Sequence, residues 1–402
     1  KNGTLSLDCL DYEIEVAEME DNDIQNLPPK TFDRHTNIRM LKLKSNRISN
    51  LPKGIFSKMR DIMYLDLSYN NISTIPDDTF SNLPNLTTLD LSGNYLSTLN
   101  INAFRNLTSL QELILDNNQI SQLPPNLELR RQMPNLEEIS LHQNQIKIIP
   151  KRLFHGLKHL TILRLQQNSL TKLPDSAFKD CIKIKLLLLS HNELQQIPLN
   201  IFNQMSKLQQ LHIGDNKLTK LPPSIFDRNP DLFVLNMGKN PIASLSRNIF
   251  KHNHGLGVLT LTEMNLTEIC KDWFFNKTRL RRIVADDNPI ENLEDGAFHS
   301  LKNLQFLAMN DHKLKGIPRG TFRNCPKVKV LYMAGPNLET IPLDEIRSFD
   351  KLRSTDVDPR VFGVRPKFRQ GDPRAHHVGL TKSDQIYSYR PKNTFRSGYG
   401  PR

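Results

Sequence analysis

The chain has 402 residues, enough for two or three globular domains, but 7% aromatic residues, one Trp and conspicuous Leu, Ile and Asn point to a repeating core instead. No apolar run approaches the ~20 residues that a membrane helix requires, so no membrane span is expected; Leu186 to Leu189 is a typical pure stretch. The net charge of +12 is concentrated in residues 353–402, with eleven Lys or Arg against four Asp, which argues against a folded basic face for nucleic acid.

Taken in chain order, residues 1–13 open Lys-Asn-Gly without Met or a signal-type apolar segment. They read as the start of a processed or trimmed product with no visible anchor, and as the remnant of an N-terminal cap around Cys9. Asp8, Asp11, Glu13, Glu15, Glu18, Glu20, Asp21 and Asp23 form an acidic block with no base among them.

Residues 14–352 are expected to form one repeat domain. Asn recurs at 22, 46, 70, 94, 118, 144, 168, 192, 216, 240 and 288, and every step to 240 is 24 residues except one of 26. The same step reaches Met264, His312 and Pro336, giving fourteen reference points. Five and three residues before each point, and two and five after, the chain is apolar without exception; Leu65, Leu67, Ile72 and Ile75 are one set. Phe stands ten residues on in twelve turns, from Phe32 to Phe322, and Pro follows the last apolar position in ten.

The Leu-x-Leu alternation predicts a short strand with one face inward, and stacked turns predict a parallel sheet with ~4.8 Å between strands. The Phe fills the far side, and the Pro ends extended structure and forbids helix. The Asn amide is expected to satisfy main-chain groups in the buried turn. The fifth turn is two residues longer and has Glu128 where Phe is due, so a bulge carrying Arg130 and Arg131 is expected there. Met264, His312 and Pro336 predict looser turns near the C-terminal end.

This pattern resembles the 24-residue typical leucine-rich repeat of animal extracellular proteins: Toll-type receptor ectodomains, chaoptin-like adhesion proteins, Slit-like ligands and plasma carrier subunits. The resemblance covers about residues 14–350. It implies an α/β-type repeat fold, a leucine-rich-repeat solenoid or horseshoe with a parallel sheet on the concave face and irregular or 3-10 convex segments. It also implies a secreted or cell-surface protein that binds a protein or glycan, since members share the scaffold and not the partner. Such relatives close both ends with disulfide caps, and here the chain departs from them. Cys9 either pairs upstream of Lys1 or is free, while Cys181, Cys270 and Cys325 sit too far apart to bridge and are expected as buried free thiols.

Catalytic and cofactor motifs are absent, so no enzyme activity, cofactor or metal is expected. His252 and His254 have a metal-like spacing but read as solvated, and His142, His191 and His212 as surface contacts on or beside the strands. Asn71, Asn85, Asn106, Asn265 and Asn276 stand in Asn-x-Ser/Thr sequences, candidate glycan acceptors away from the middle of the strands. Outward strand positions are polar in the middle of the stack (Glu138, His142, Arg164, Gln166, Gln210, His212). They become apolar and aromatic toward the end, and Phe233, Val258, Arg282, Val284, Phe306, Lys329, Val330 and Tyr332 are the candidate partner-binding patch.

Residues 353–402 carry scattered Pro, Gly, Tyr and Arg with no continuing repeat, and are expected to be a flexible basic tail suited to a polyanion. Recognition of a partner on the concave face is the favoured reading. Its rivals are a matrix component that self-associates as a homo-oligomer, acidic end to basic tail, and a non-catalytic subunit of a larger complex.

Overall fold

The computed structural model describes residues 3–7, 11–342, 344, 345, 349, 351–357 and 361. Cys9, and with it the question of its pairing, lies outside the described residues, as does the expected tail beyond residue 361. The chain divides into Lys1–Gly363 and Val364–Arg402, and every described residue belongs to the first unit.

Each turn contributes one short strand. In chain order these are β1 (Val16–Glu18), β2 (Met40–Lys42), β3 (Tyr64–Asp66), β4 (Thr88–Asp90), β5 (Glu112–Ile114), β6 (Glu138–Ser140), β7 (Ile162–Arg164) and β8 (Leu186–Leu188). They continue as β9 (Gln210–His212), β10 (Val234–Asn236), β11 (Val258–Thr260), β13 (Arg282–Val284), β15 (Phe306–Ala308), β16 (Val330–Tyr332) and β17 (Ser354–Thr355). All join in one parallel sheet in sequence order. A small second pair, β12 (Glu268–Ile269) and β14 (Asn292–Leu293), forms on the adjoining segment. The middle residue of each strand points inward and faces its counterpart on the next: Leu113, Ile139, Leu163, Leu187 and Leu211 are direct partners and fully buried. The expected stack is therefore present, a solenoid of about fourteen turns.

The Asn position does more than fill a turn. Asn70 Nδ2 donates to the carbonyls of Leu43, Leu67 and Ser68 at 2.9, 3.1 and 3.2 Å, and its Oδ1 accepts from Ile48 N–H at 3.0 Å. One side chain thus ties two turns together through groups that would otherwise be buried without partners. The residue just before it takes a left-handed backbone in turn after turn, as at Ser45, Tyr69, Asn117, Gln143 and Gln167, with φ between 53° and 57°. That conformation costs an L-residue roughly 1 kcal/mol, and the Asn bonds offset it.

On the opposite side the phenylalanines form a spine. Ring centroids of Phe32, Phe56, Phe80 and Phe104 are 5.6, 5.8 and 5.7 Å apart, and Phe202, Phe226 and Phe250 continue at 6.4 and 6.2 Å. Strands repeat at about 4.8 Å, so the aromatic side is the wider and the sheet is the concave face. The spine ends on Phe349, 5.3 Å from Phe322, three residues beyond the place the ten-residue rule gives.

Three departures have clear causes. In the fifth turn Leu127 and Leu129 supply the buried volume, and the buried Glu128 carboxylate takes Arg131 at 3.0 Å and Arg152 at 2.8 Å. Where Met264 and His312 replace Asn, the N–H groups of Ile242 and Ile290 lose their side-chain acceptor. They fold back onto the Asn240 and Asn288 carbonyls, both at 2.7 Å. Finally, residues 3–7 lie along the first turn, with Leu5 N–H donating to Asn26 O at 3.0 Å and Leu7 buried over the core.

The three described cysteines are buried and free. Cys181 and Cys325 are also hydrogen-bond donors, to Phe154 O at 3.5 Å and Phe298 O at 3.0 Å, the role that Asn229 and Asn253 fill in other turns. Burial pushes these two thiols up to about 12 and that of Cys270 up to about 11, so all three stay protonated at neutral pH. Lys277 takes the same position in the eleventh turn. Fully buried, its ammonium donates to the carbonyls of Phe275 at 3.2 Å and Lys251 at 3.5 Å, and burial lowers its pKa.

Candidate functional site

The strand alternation leaves the first and third residues of every strand on the open face. In the C-terminal turns the register sets Val258 beside Arg282, Arg282 beside Phe306 and Phe306 beside Val330. One column over, Val284, Ala308 and Tyr332 are neighbours. The Arg282 guanidinium lies 3.7 Å from the Phe306 ring centroid, and the Tyr332 ring meets Phe306 edge-on at 5.9 Å. Tyr332 Oη is 3.0 Å from Ser354 Oγ, and Lys329 Nζ donates to Gln305 Oε1 at 3.4 Å. Phe233, 41% exposed, lies across Gly257 of the next turn. A Cβ at 257 would stand 2.1 Å from the ring, so only glycine leaves room for it. Six of the eight candidate residues thus occupy the outward strand positions, and Phe233 and Lys329 border them on the entry side.

Charge is arranged across this patch. Lys329 borders the entry side of the strands, whereas Asp286 and Asp356 border the exit side. The Asp286 carboxylate accepts Asn310 N–H at 2.7 Å and that of Asp356 accepts Met333 N–H at 2.9 Å, and burial raises both pKa values.

The middle of the face is less polar than the sequence pattern suggests. Ile162 and Leu186 are direct partners, half-buried on the open side, and Leu188 lies beside His212. Sequence reasoning misses these three, although the uninterrupted Leu186–Leu189 run requires two leucines to face out. Burial lowers His212 to about 4, so it is neutral at physiological pH. His142 holds Asp116 through its backbone N–H at 2.7 Å and approaches Gln166 O with Nδ1 at 3.2 Å. His191 pairs with Asp215 at 2.5 Å. His252 and His254 are exposed, and no cluster of three metal-ligating side chains occurs among the described residues.

A second concavity of about 690 Å³ runs along the rim of the early turns, lined by Arg39, Asp61, Met63, Thr87, Gln111 and Glu137. It is polar, and Asn85 stands on its wall with Nδ2 donating to Arg60 O at 3.0 Å. Asn71, Asn85, Asn106, Asn265 and Asn276 are all exposed, and none lies on a strand of the sheet. At the N-terminal end, Glu15, Glu18 and Asp23 bridge Arg39, Lys42 and Arg47 at 3.5, 2.7 and 3.1 Å, so three acids of the block are paired with the second turn.

No curated protein sequence matches the chain. Among solved structures, a leucine-rich-repeat protein of Leptospira interrogans superposes with a TM-score of 0.74 at 23% identity, covering 86% of this chain and 90% of that one. The Drosophila Toll–Spatzle complex, in its glycosylated form, gives 0.75 at 22% identity, covering 85% of this chain and 47% of that one. TLR13 in complex with ssRNA13 gives 0.67 at 24%, covering 85% and 54%. The chain therefore spans about half the length of these last two, and at such identities the likeness concerns the fold. The leucine rich repeat family model matches residues 18–72, 60–120, 128–170, 158–218, 206–263 and 254–311, more than half of the chain. Periodicity, stacking and this match agree, and the chain belongs to the leucine-rich-repeat family.

Proposed function

We propose that this chain is an extracellular recognition protein, without catalytic activity, that receives a protein partner on the C-terminal part of its concave sheet. The observation that carries this reading is the Arg282–Phe306–Tyr332 array, an aromatic and guanidinium cluster on the outward side of the strands. Buried aromatic and Arg anchors dominate protein interfaces, because planar side chains bury large area at small entropic cost. Carboxylates on one side and bases on the other would fix the partner's orientation. Structural neighbours solved with bound ligands, Toll with Spatzle among them, lend support at the level of the scaffold. Glycans at the five exposed Asn positions would leave the strand faces clear.

Self-association of the acidic end with a basic tail has less support, since Glu15, Glu18 and Asp23 already hold partners in their own chain. The test is comparative. Partner captured from native extracellular fluid by the unaltered chain should bind F306A/Y332A at least about 30-fold more weakly, the loss expected for ~2 kcal/mol of hot-spot energy. Thermal unfolding should stay nearly unchanged. Equal capture by the double variant overturns the assignment.

A further inference from the structure

A separate strip lies outside the aromatic patch, on the rim where the chain enters the last strands. Segments 278–282, 302–306, 326–330 and 351–354 occupy equivalent places in successive turns. Their backbones are hydrogen-bonded in series: Gln305 N–H to Arg281 O, Lys329 N–H to Gln305 O and Arg353 N–H to Lys329 O, each at 2.8 Å. These four segments hold eight bases and no acid among the described residues, Asp350 at the start of the last turn's segment lying outside them. Six of the bases, Arg279, Arg281, Lys302, Lys327, Lys351 and Arg353, belong to the strip alone. The remaining two, Arg282 and Lys329, also border the patch.

Elsewhere on the molecule some bases are paired, as Lys217 with Glu193 at 3.1 Å, Lys239 with Glu263 at 3.6 Å and Arg247 with Glu294 at 2.5 Å, while others, such as Lys58 and Lys172, stand singly and dispersed. None of the six takes part in an ion pair among the described residues. Five of them are exposed without a polar side-chain partner among the described residues, and the sixth, Lys327, donates to the neutral Asn303 Oδ1 at 2.6 Å. The equivalent rim of the early turns is mixed, with Asp61 and Glu137 among its bases. Four strands at about 4.8 Å make a straight row of positive charge about 15 Å long. Like charges held this close repel one another, and a row with such an excess of positive charge is complementary to a linear polyanion.

We infer that this strip binds a sulfated polysaccharide. Single-stranded nucleic acid, the other linear polyanion, is held by charge together with aromatic platforms on which bases stack. Of the aromatic rings near the strip, Phe306 already has the Arg282 guanidinium on its face and Tyr332 against it, and Phe233, across Gly257 from Arg281, is a single ring at one end of the row and not a series of platforms. What remains is charge interleaved with the neutral amides Asn303 and Gln305, which suits sulfates on a hydroxyl-rich chain. The strip does not depend on the partner proposed for the aromatic patch, and the two can be tested apart.

The experiment titrates a heparin dodecasaccharide into the full chain at 0.15 M NaCl. R279Q/R281Q/K302Q/K327Q/K351Q/R353Q removes the strip, and K30Q/K58Q/K147Q/K172Q/K220Q/K251Q removes the same charge elsewhere. The strip variant should lose at least tenfold in affinity and the control less than threefold, while F306A/Y332A binds heparin normally. Equal losses in both six-fold variants, or no loss in the strip variant, would overturn the proposal. So would a single-stranded RNA of matched charge that binds as tightly with the same dependence on the strip. Should the strip variant fail to fold, lysine acylation of the unaltered chain decides: bound heparin should protect Lys302, Lys327 and Lys351, and equal labelling with and without it refutes the site.

Discussion

Asn144, Asn168, Asn192 and Asn216 repeat one arrangement, three carbonyls held by the amide and one N–H received by its oxygen from the turn before. The ladder breaks at Met264, where Ile242 N–H must use the carbonyl two residues behind it. Such a bond is bent and weak compared with the straight one to Asn Oδ1 in other turns. M264N should restore the side-chain acceptor and stabilise the chain by about 1 kcal/mol, the net worth of one such bond. Urea unfolding of the two proteins side by side measures this, and a lower midpoint for M264N would mean that the thioether's packing outweighs the bond.

At the scale of an element, the phenylalanine spine and the sheet are two ladders with different spacing, joined by the inward leucines. Phe226 has ring neighbours only in the adjacent turns, Phe202 and Phe250. F226A opens a cavity that rigid turns on either side cannot close, at a cost of about 3–5 kcal/mol. Because each turn touches only its neighbours, the damage should be local. Amide exchange should accelerate in the eighth to tenth turns and stay unchanged in the second and third; uniform acceleration would show the stack to unfold as one unit.

For the whole solenoid, stability is a sum of turns and interfaces between turns, so the least bonded end opens first. The last four turns have Asn at one ladder point of four, whereas the first ten have it at every point. Native-state exchange should therefore show decreasing protection from the sixth turn toward the fourteenth, the strands from Arg282 to Tyr332 exchanging faster than those from Glu138 to His212. The same turns carry the aromatic patch and the basic strip, which sets the proposed binding surfaces on the part of the stack with most freedom to adjust. Equal protection along the stack would remove that link.

The inward half of this protein is readable from sequence because it rests on a local rule. A side chain that must be apolar every 24 residues announces its own burial, and Leu113, Leu163 and Phe226 lie where periodicity sets them. The outward half obeys no such rule, since water accepts nearly any residue. Ile162, Leu186 and Leu188 escape sequence reasoning on that account, and so does the polar role of Cys181, Cys325 and Lys277 inside the convex wall. Stacking decided the rest. Only neighbouring turns bring the Arg282 guanidinium over Phe306, let Phe233 lie across Gly257 and set Glu15, Glu18 and Asp23 against their bases, because these contacts join residues about 24 positions apart whose side-chain directions no composition reveals.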